Sequence, residues 1–96
     1  MGFRVIIEES ALTDLADLVR YIARTDPEFA VRFGISMIEK AESLEEFPER
    51  GRSCRECAFT GCRQIIYGQY RIIYQVARET RSVHVVRFWH GARNVD

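Results

Sequence analysis

The spacing of apolar residues changes period once along this chain, and that change limits the fold more than any other feature. Between Ser10 and Phe47 apolar residues recur at the three-and-four spacing of one helical face, whereas from Arg63 to His90 they gather in short runs of Ile, Val, Tyr and Phe. A chain that switches from the helical to the strand period must pack helices against a sheet. Phe3 to Glu8 adds a strand before the helices, with Phe3, Val5 and Ile7 on one side.

Local signals divide the helical half into two. Ser10 offers an N-cap to a helix over about Ser10 to Arg24, whose apolar face is Leu12, Leu15, Ala16, Val19, Ile22 and Ala23. Asp26-Pro27 restarts the pattern, since Asp caps a helix and Pro is tolerated in its first turn. Ala30, Phe33, Met37, Ala41 and Leu44 then form a stripe that runs to Phe47 and stops at Pro48. Gly34 beside that stripe would let a second backbone approach closely, as in an antiparallel helical hairpin. Met37 reads as core filling.

Glu49 to Gly61 breaks the pattern and reads as a loop. Three hairpin-linked strands are expected next, at Arg63 to Tyr67, Tyr70 to Ala77 and Val83 to His90, separated by Gly68-Gln69 and by Arg78 to Ser82. The predicted fold is α+β, in the order β-α-α-β-β-β: a helical hairpin on one face of a four-stranded, mainly antiparallel sheet. At 96 residues, positions 1–96 are expected to form one domain. No apolar run approaches the roughly 20 residues of a membrane span, and Arg4, Glu8 and Glu9 interrupt any signal-peptide pattern, so a soluble cytoplasmic protein without a membrane partner is expected.

A net charge of zero conceals a split. Residues 1–49 set five cations against eleven carboxylates, while residues 50–96 set nine Arg against three carboxylates. Thirteen of the fourteen cations are Arg, whose planar donor fork suits carboxylate or phosphate, so the second half is expected to meet an anionic partner or to pair with the acidic helices. In the second of the three late strands Ile72, Tyr74 and Val76 make the apolar side, which leaves Arg71 facing water, a carboxylate or a target anion. Val83 to His90 is apolar on both sides; strict alternation puts Arg87 on one and His84 and His90 on the other. The run RFWHGAR, residues 87–93, gathers two Arg, a Trp and a His, and a cluster of Arg71, His90 and Arg93 could in principle cleave RNA.

Cys54, Cys57 and Cys62 lie within nine positions. An odd count without a secretion signal argues against a disulfide framework. Three thiolates with His84 or His90 could bind zinc, but a structural site usually shows two spaced pairs and only one is present, so no metal is expected. A redox-sensitive pair and ordinary loop thiols remain open. No cofactor is expected.

The segments FRVIIEESALTDLADLVRYIA, DPEFAVRF, EEFPERGR, RQIIYGQYRIIYQV and VHVVRFWHGAR, with P-x-x-G-R, Y-R-I-x-Y-x-V and H-G-x-R in that order, resemble the ParE/RelE superfamily of toxins from bacterial toxin–antitoxin modules. The resemblance covers nearly the whole chain. It implies a toxin held inactive in a hetero-oligomer with a cognate antitoxin. RelE-like members are ribosome-dependent endoribonucleases that cut mRNA, and ParE-like members poison DNA gyrase. Arg71 and Arg93 match two Arg positions of the RelE-like pattern. The first of the three late strands has no Lys, His90 is followed by Gly91, and no Tyr follows it, whereas the HGAR ending is more similar to ParE-like chains. The resemblance therefore points to a gyrase-directed toxin that is not an enzyme, with Arg63, Arg71, Arg87, Trp89, His90 and Arg93 as target-binding residues. The alternative it leaves is a ribosome-dependent mRNA interferase using Arg71, His90 and Arg93.

Overall fold

A computed structural model describes residues 2–54 and 61–91. Its elements are β1 (Arg4–Ile7), α1 (Glu9–Ala23), α2 (Pro27–Glu42), a 3₁₀ turn (Ser43–Glu45), β2 (Arg52–Ser53), β3 (Arg63–Tyr67), β4 (Tyr70–Ala77) and β5 (Ser82–His90). The class is α+β, as the change of period predicts. The sheet has five strands in the order β1-β5-β4-β3-β2, with β1 parallel to β5 and the other pairs antiparallel. The fifth strand is β2, two residues of the segment read from sequence as loop. A pair this short has no periodicity to reveal it; only its partner defines it, through Arg52 opposite Gln64 and Ser53 opposite Arg63.

The two helices begin for different reasons. Asp26 caps α2 by accepting the Phe29 amide at 3.1 Å, with Pro27 in the first turn where no donor is needed. Ser10 does not cap α1, whose N-cap is Glu8 with no side-chain bond. The Ser10 hydroxyl instead donates to the Val86 carbonyl at 2.7 Å, a contact between residues far apart in the chain. The hairpin closes around Gly34, where a Cβ would lie 3.3 Å from a Val19 methyl.

The stripe of α2 is the floor of the main core. Ala30, Phe33, Met37, Ala41 and Leu44 are all buried, and Phe33, Met37, Ala41 and Leu44 pack with Leu15, Leu18, Ile72, Tyr74, Val83, Val85 and Phe88. The stripe ends there, since Phe47 stands exposed. On the far face of the sheet a second, smaller cluster joins Cys54, Cys62, Ile73 and Val86, with Trp89 against it.

Strict alternation along β5 fails at one point. Val83, Val85 and Phe88 face the helices, while Val86 and Trp89 face away. The register explains it: Tyr74 opposes Val85 and the next residue, Ile73, opposes Arg87, so Val86 is the extra residue of a β-bulge. His84, before the bulge, therefore lies on the outer face, and His90, after it, lies on the helix face against Tyr70. The two histidines do not share a side.

Candidate functional site: an arginine and tryptophan stack on the outer face

β1 stops pairing with β5 at Ile7 opposite Val85, which leaves the rest of β5 without a strand on that edge. Helix α1 takes the place of the strand. Glu8 donates its amide to the Val85 carbonyl at 2.9 Å, Ser10 reaches the Val86 carbonyl, and Asp14 Oδ2 accepts the Phe88 amide at 3.1 Å. Three backbone groups on that edge, the Val85 and Val86 carbonyls and the Phe88 amide, are thus satisfied by the segment that opens α1.

Asp14 also fixes Arg87. The guanidinium donates through Nε to Oδ2 at 2.7 Å and through a terminal nitrogen to Oδ1 at 2.8 Å, a bidentate fork on a carboxylate that is largely buried. The hydrogen bond to Asp14 raises the Arg87 pKa above its ordinary value, against a smaller opposing effect of burial. Arg87 is charged throughout the working range, and most of that charge is answered by the helix.

From there the Arg87 guanidinium lies over Trp89 at 5.6 Å from the ring centre, and Arg71 of β4 lies over the same indole at 5.3 Å. Arg71 sits directly opposite Trp89 in the β4–β5 register. Sequence alternation placed Arg71 correctly on the face away from the helices but left it facing solvent or an anion. In the structure it is 9% exposed, donating to the Gln64 side-chain carbonyl at 3.3 Å and stacked on the indole. Arg is weakly hydrated for a cation and stacks on aromatic faces, which makes such burial tolerable.

The remaining expected site residues go elsewhere. Arg63 donates to the carbonyls of Glu49 and Gly51 at 3.2 and 2.8 Å, tethering the segment before β2. His90 meets Tyr70 edge-on at 5.0 Å between ring centres, and Tyr70 in turn packs at a tilt against Phe33 of α2. Arg87, Trp89 and His90 do line one small cleft with Asp14 and Asp17, of about 140 Å³. Arg93 and Cys57 lie outside the described residues. Cys62 is disulfide-bonded and Cys54 is buried; the odd cysteine count argues only against a disulfide framework and leaves a redox-sensitive pair open. Counting cysteines tests for a framework of bridges; it has no power over a single bond. Among the described residues no group of three His, Cys, Asp or Glu could hold a metal ion.

Residues that sequence reasoning missed include Asp14, Gln64, Gly51 and Tyr74. A Cβ at Gly51 would lie 2.5 Å from the Tyr74 hydroxyl and 2.7 Å from the Gln64 carbonyl oxygen, and the Gly51 amide donates to that hydroxyl at 2.8 Å. The glycine of P-x-x-G-R and the second tyrosine of Y-R-I-x-Y-x-V are therefore one contact. Burial lifts the Tyr74 pKa above its ordinary value; the Gly51 bond and the charges of Arg63 and Arg50 pull the other way with less effect. The glycine of H-G-x-R closes the far end, where the Gly91 amide donates to the Gln69 carbonyl at 2.7 Å.

His84 belongs to a separate chain of hydrogen bonds. Its Nδ1 lies 2.6 Å from a Glu8 carboxylate oxygen and its Nε2 3.0 Å from the Ser82 hydroxyl, which lies 2.7 Å from that of Thr80. Although these are the residue types of a nucleophilic triad, Ser82 is buried to 1% exposure, so its hydroxyl meets no substrate. The chain ties β1 to β5.

A helical hairpin over one face of a five-stranded mixed sheet, with an arginine and tryptophan stack on the other, defines a small α+β class of protein. The family model for the ParE toxin of type II toxin–antitoxin systems, parDE, matches residues 5–95, and the chain belongs to that family. It is 34% identical over 91 residues to the toxin RelE1 of Caulobacter vibrioides, covering 95% of this chain and 96% of that one. To the toxin RelE2 of the same organism it is 38% identical over 84 residues, 86% of this chain and 89% of that one. Two solved structures share the fold. The toxin–antitoxin complex RelBE2 from Mycobacterium tuberculosis matches with a TM-score of 0.70 at 24% identity, covering 94% of this chain and 99% of that one. The chromosomal ParDE system from P. aeruginosa matches with a TM-score of 0.77 at 15% identity, covering 93% and 96%. No helix among the described residues is long and apolar enough to cross a membrane.

Proposed function

We propose that this toxin acts in the cytoplasm by binding DNA gyrase through the outer face of its sheet, and that a cognate antitoxin neutralises it in a hetero-oligomer. The observation that carries the reading is the indole of Trp89 with the guanidinium groups of both Arg71 and Arg87 over its ring. Trp and Arg are the side chains most enriched among residues that dominate protein–protein binding energy, and here both are oriented before any partner arrives. Ribonuclease chemistry would ask for a general base beside a cation that holds the phosphate. The imidazoles sit badly for that task, since His84 is tied to Glu8 and Ser82, and His90 packs on Tyr70 across the sheet from the stack. The antitoxin partner is supported by the solved relatives, whose names are those of toxin–antitoxin complexes and systems.

A second reading, a ribosome-dependent mRNA interferase, is favoured by the names of the two RelE toxins the chain resembles. Supercoiling by purified gyrase separates the two. Addition of the toxin should abolish supercoiling and leave cleaved DNA, and Trp89→Ala, folded by circular dichroism, should lose most of that inhibition. Unchanged supercoiling, together with A-site cuts on translating ribosomes by primer extension, would overturn the gyrase reading in favour of the other.

A further inference from the structure

Helix α2 is apolar on two sides. Ala30, Phe33, Met37 and Ala41 are buried, as a helix lying on a sheet requires, yet Val31 and Ile35 stand 62% and 54% exposed. A surface helix covered once is expected to be polar opposite its buried stripe, so a second apolar side marks a second packing surface. Between the two helices lies a groove of about 400 Å³, walled by Leu15 and Val19 of α1 and by Val31, Ile35 and Ile38 of α2. Gly34 also lines it and, having no side chain, leaves a hole beside the projecting Ile35. Knob and hole thus lie side by side on one surface, an arrangement that two copies related by a two-fold axis fill reciprocally.

The charges of α2 select a second copy as the occupant. Glu28, Arg32, Glu39 and Glu42 are exposed, and neither Arg32 nor Glu39 is in an ion pair among the described residues. Arg32 lies on one side of Ile35 along the helix and Glu39 at nearly the same distance on the other. When two α2 helices cross antiparallel at Ile35, Arg32 of each copy therefore meets the partner subunit's Glu39. In that register Glu28 falls opposite Ser43 and Glu42 opposite Phe29, so no two carboxylates of α2 face each other.

We propose that the free toxin pairs with a second copy of itself through this groove. The two helical hairpins close into a four-helix bundle, with Ile35 of each copy seated against Gly34 of the other. The outer faces of both sheets then point away from the contact, and the dimer presents two arginine and tryptophan stacks. The pairing does not depend on which macromolecule those faces meet.

The full chain, purified without its antitoxin, should sediment at equilibrium as a dimer whose mass falls toward that of one chain on dilution. Ile35→Asp should sediment as a monomer with the circular dichroism of the wild type, since the replaced side chain is half exposed. Arg32→Glu sets two pairs of carboxylates against each other and should weaken association by roughly tenfold, and adding Glu39→Arg should restore it. A wild type that is monomeric at every concentration overturns the proposal. So does a dimer that Ile35→Asp and Arg32→Glu leave unchanged, or a double exchange that stays as weak as Arg32→Glu. A monomeric wild type whose Ile35→Asp form loses antitoxin binding gives the groove to the antitoxin and overturns the dimer. Arg32 is at the surface, so a folding defect in Ile35→Asp leaves the charge exchange as the test.

Discussion

The two faces of the sheet are built from adjacent residues and obey different rules. On the helix side Ile72, Tyr74, Val83, Val85 and Phe88 interlock with two helices, and the only polar atom among them, the Tyr74 hydroxyl, is answered by the Gly51 amide. On the outer side Ile73, Val86 and two cysteines make a patch that no helix among the described residues covers, with Trp89 and the guanidinium groups over its ring packed against it. The first face holds the fold by excluding water from large apolar surfaces. The second spends its few apolar groups on fixing the direction of charged ones. Stability and recognition are thus assigned to opposite sides of the same strands, with α1 joining them through Asp14.

That division can be broken most severely from the inside. Phe88→Ala should cost about 3–5 kcal/mol in urea denaturation, because the site is fully buried and closely packed. Its neighbour Trp89→Ala should cost clearly less and act on target inhibition instead. Equal losses of stability from the two would mean that the outer cluster is part of the structural core.

Asp14→Ala attacks the connection between the faces. It removes both bonds to Arg87 and leaves the Phe88 amide without its acceptor, for an expected loss of about 1.5–3 kcal/mol. Asp14→Asn, which keeps an acceptor for the amide, should recover part of that loss. No difference between the two variants would count against Asp14 as a substitute for the missing strand.

Tyr74→Phe leaves the Gly51 amide unsatisfied and should cost about 1–3 kcal/mol near neutral pH. It should also change the alkaline limb of the stability curve. The folded-state pKa of Tyr74 is raised above the unfolded value near 10, so its contribution is fully present below about pH 10 and is lost as pH rises through the folded value. The phenylalanine variant should lose stability less steeply above about pH 10 than the wild type, and parallel curves would show that Tyr74 does not carry the dependence.

The smallest effect belongs to the helix hairpin. Gly34→Ala gains about 1 kcal/mol of helix propensity, but its methyl would meet Val19 at 3.3 Å. A net change of less than about 1 kcal/mol either way is expected from thermal denaturation. A larger loss would show that the two helices cannot separate by even a few tenths of an ångström.

What could be read from residues alone follows their range of action. The strand bounds Arg63–Tyr67 and Tyr70–Ala77 agree residue for residue with the periodicity, and the Asp26 cap and the stripe from Ala30 to Leu44 lie where their patterns put them, while Phe47, expected to continue the stripe, is exposed. Each of these is set by neighbours a few positions away, through backbone geometry and the spacing of apolar groups. The functional stack was legible only as a list of residue types. Arg71, Arg87 and Trp89 could be named, but the bulge at Val86, which turns Trp89 outward and His90 inward, leaves no mark in a strand that is apolar on both sides.

This chain's sequence therefore determined its class, the order of its helices and of its four longer strands, the apolar stripe of its second helix and the side of β4 on which Arg71 lies. Tertiary structure alone decided that Arg87 is clasped by Asp14, that Ser10 serves a strand instead of its own helix, and that Gly51 meets Tyr74. The reason is physical: periodicity records what a residue does to its own segment, whereas an unsatisfied amide or a guanidinium is completed by whichever distant group the folded chain brings within about 3 Å.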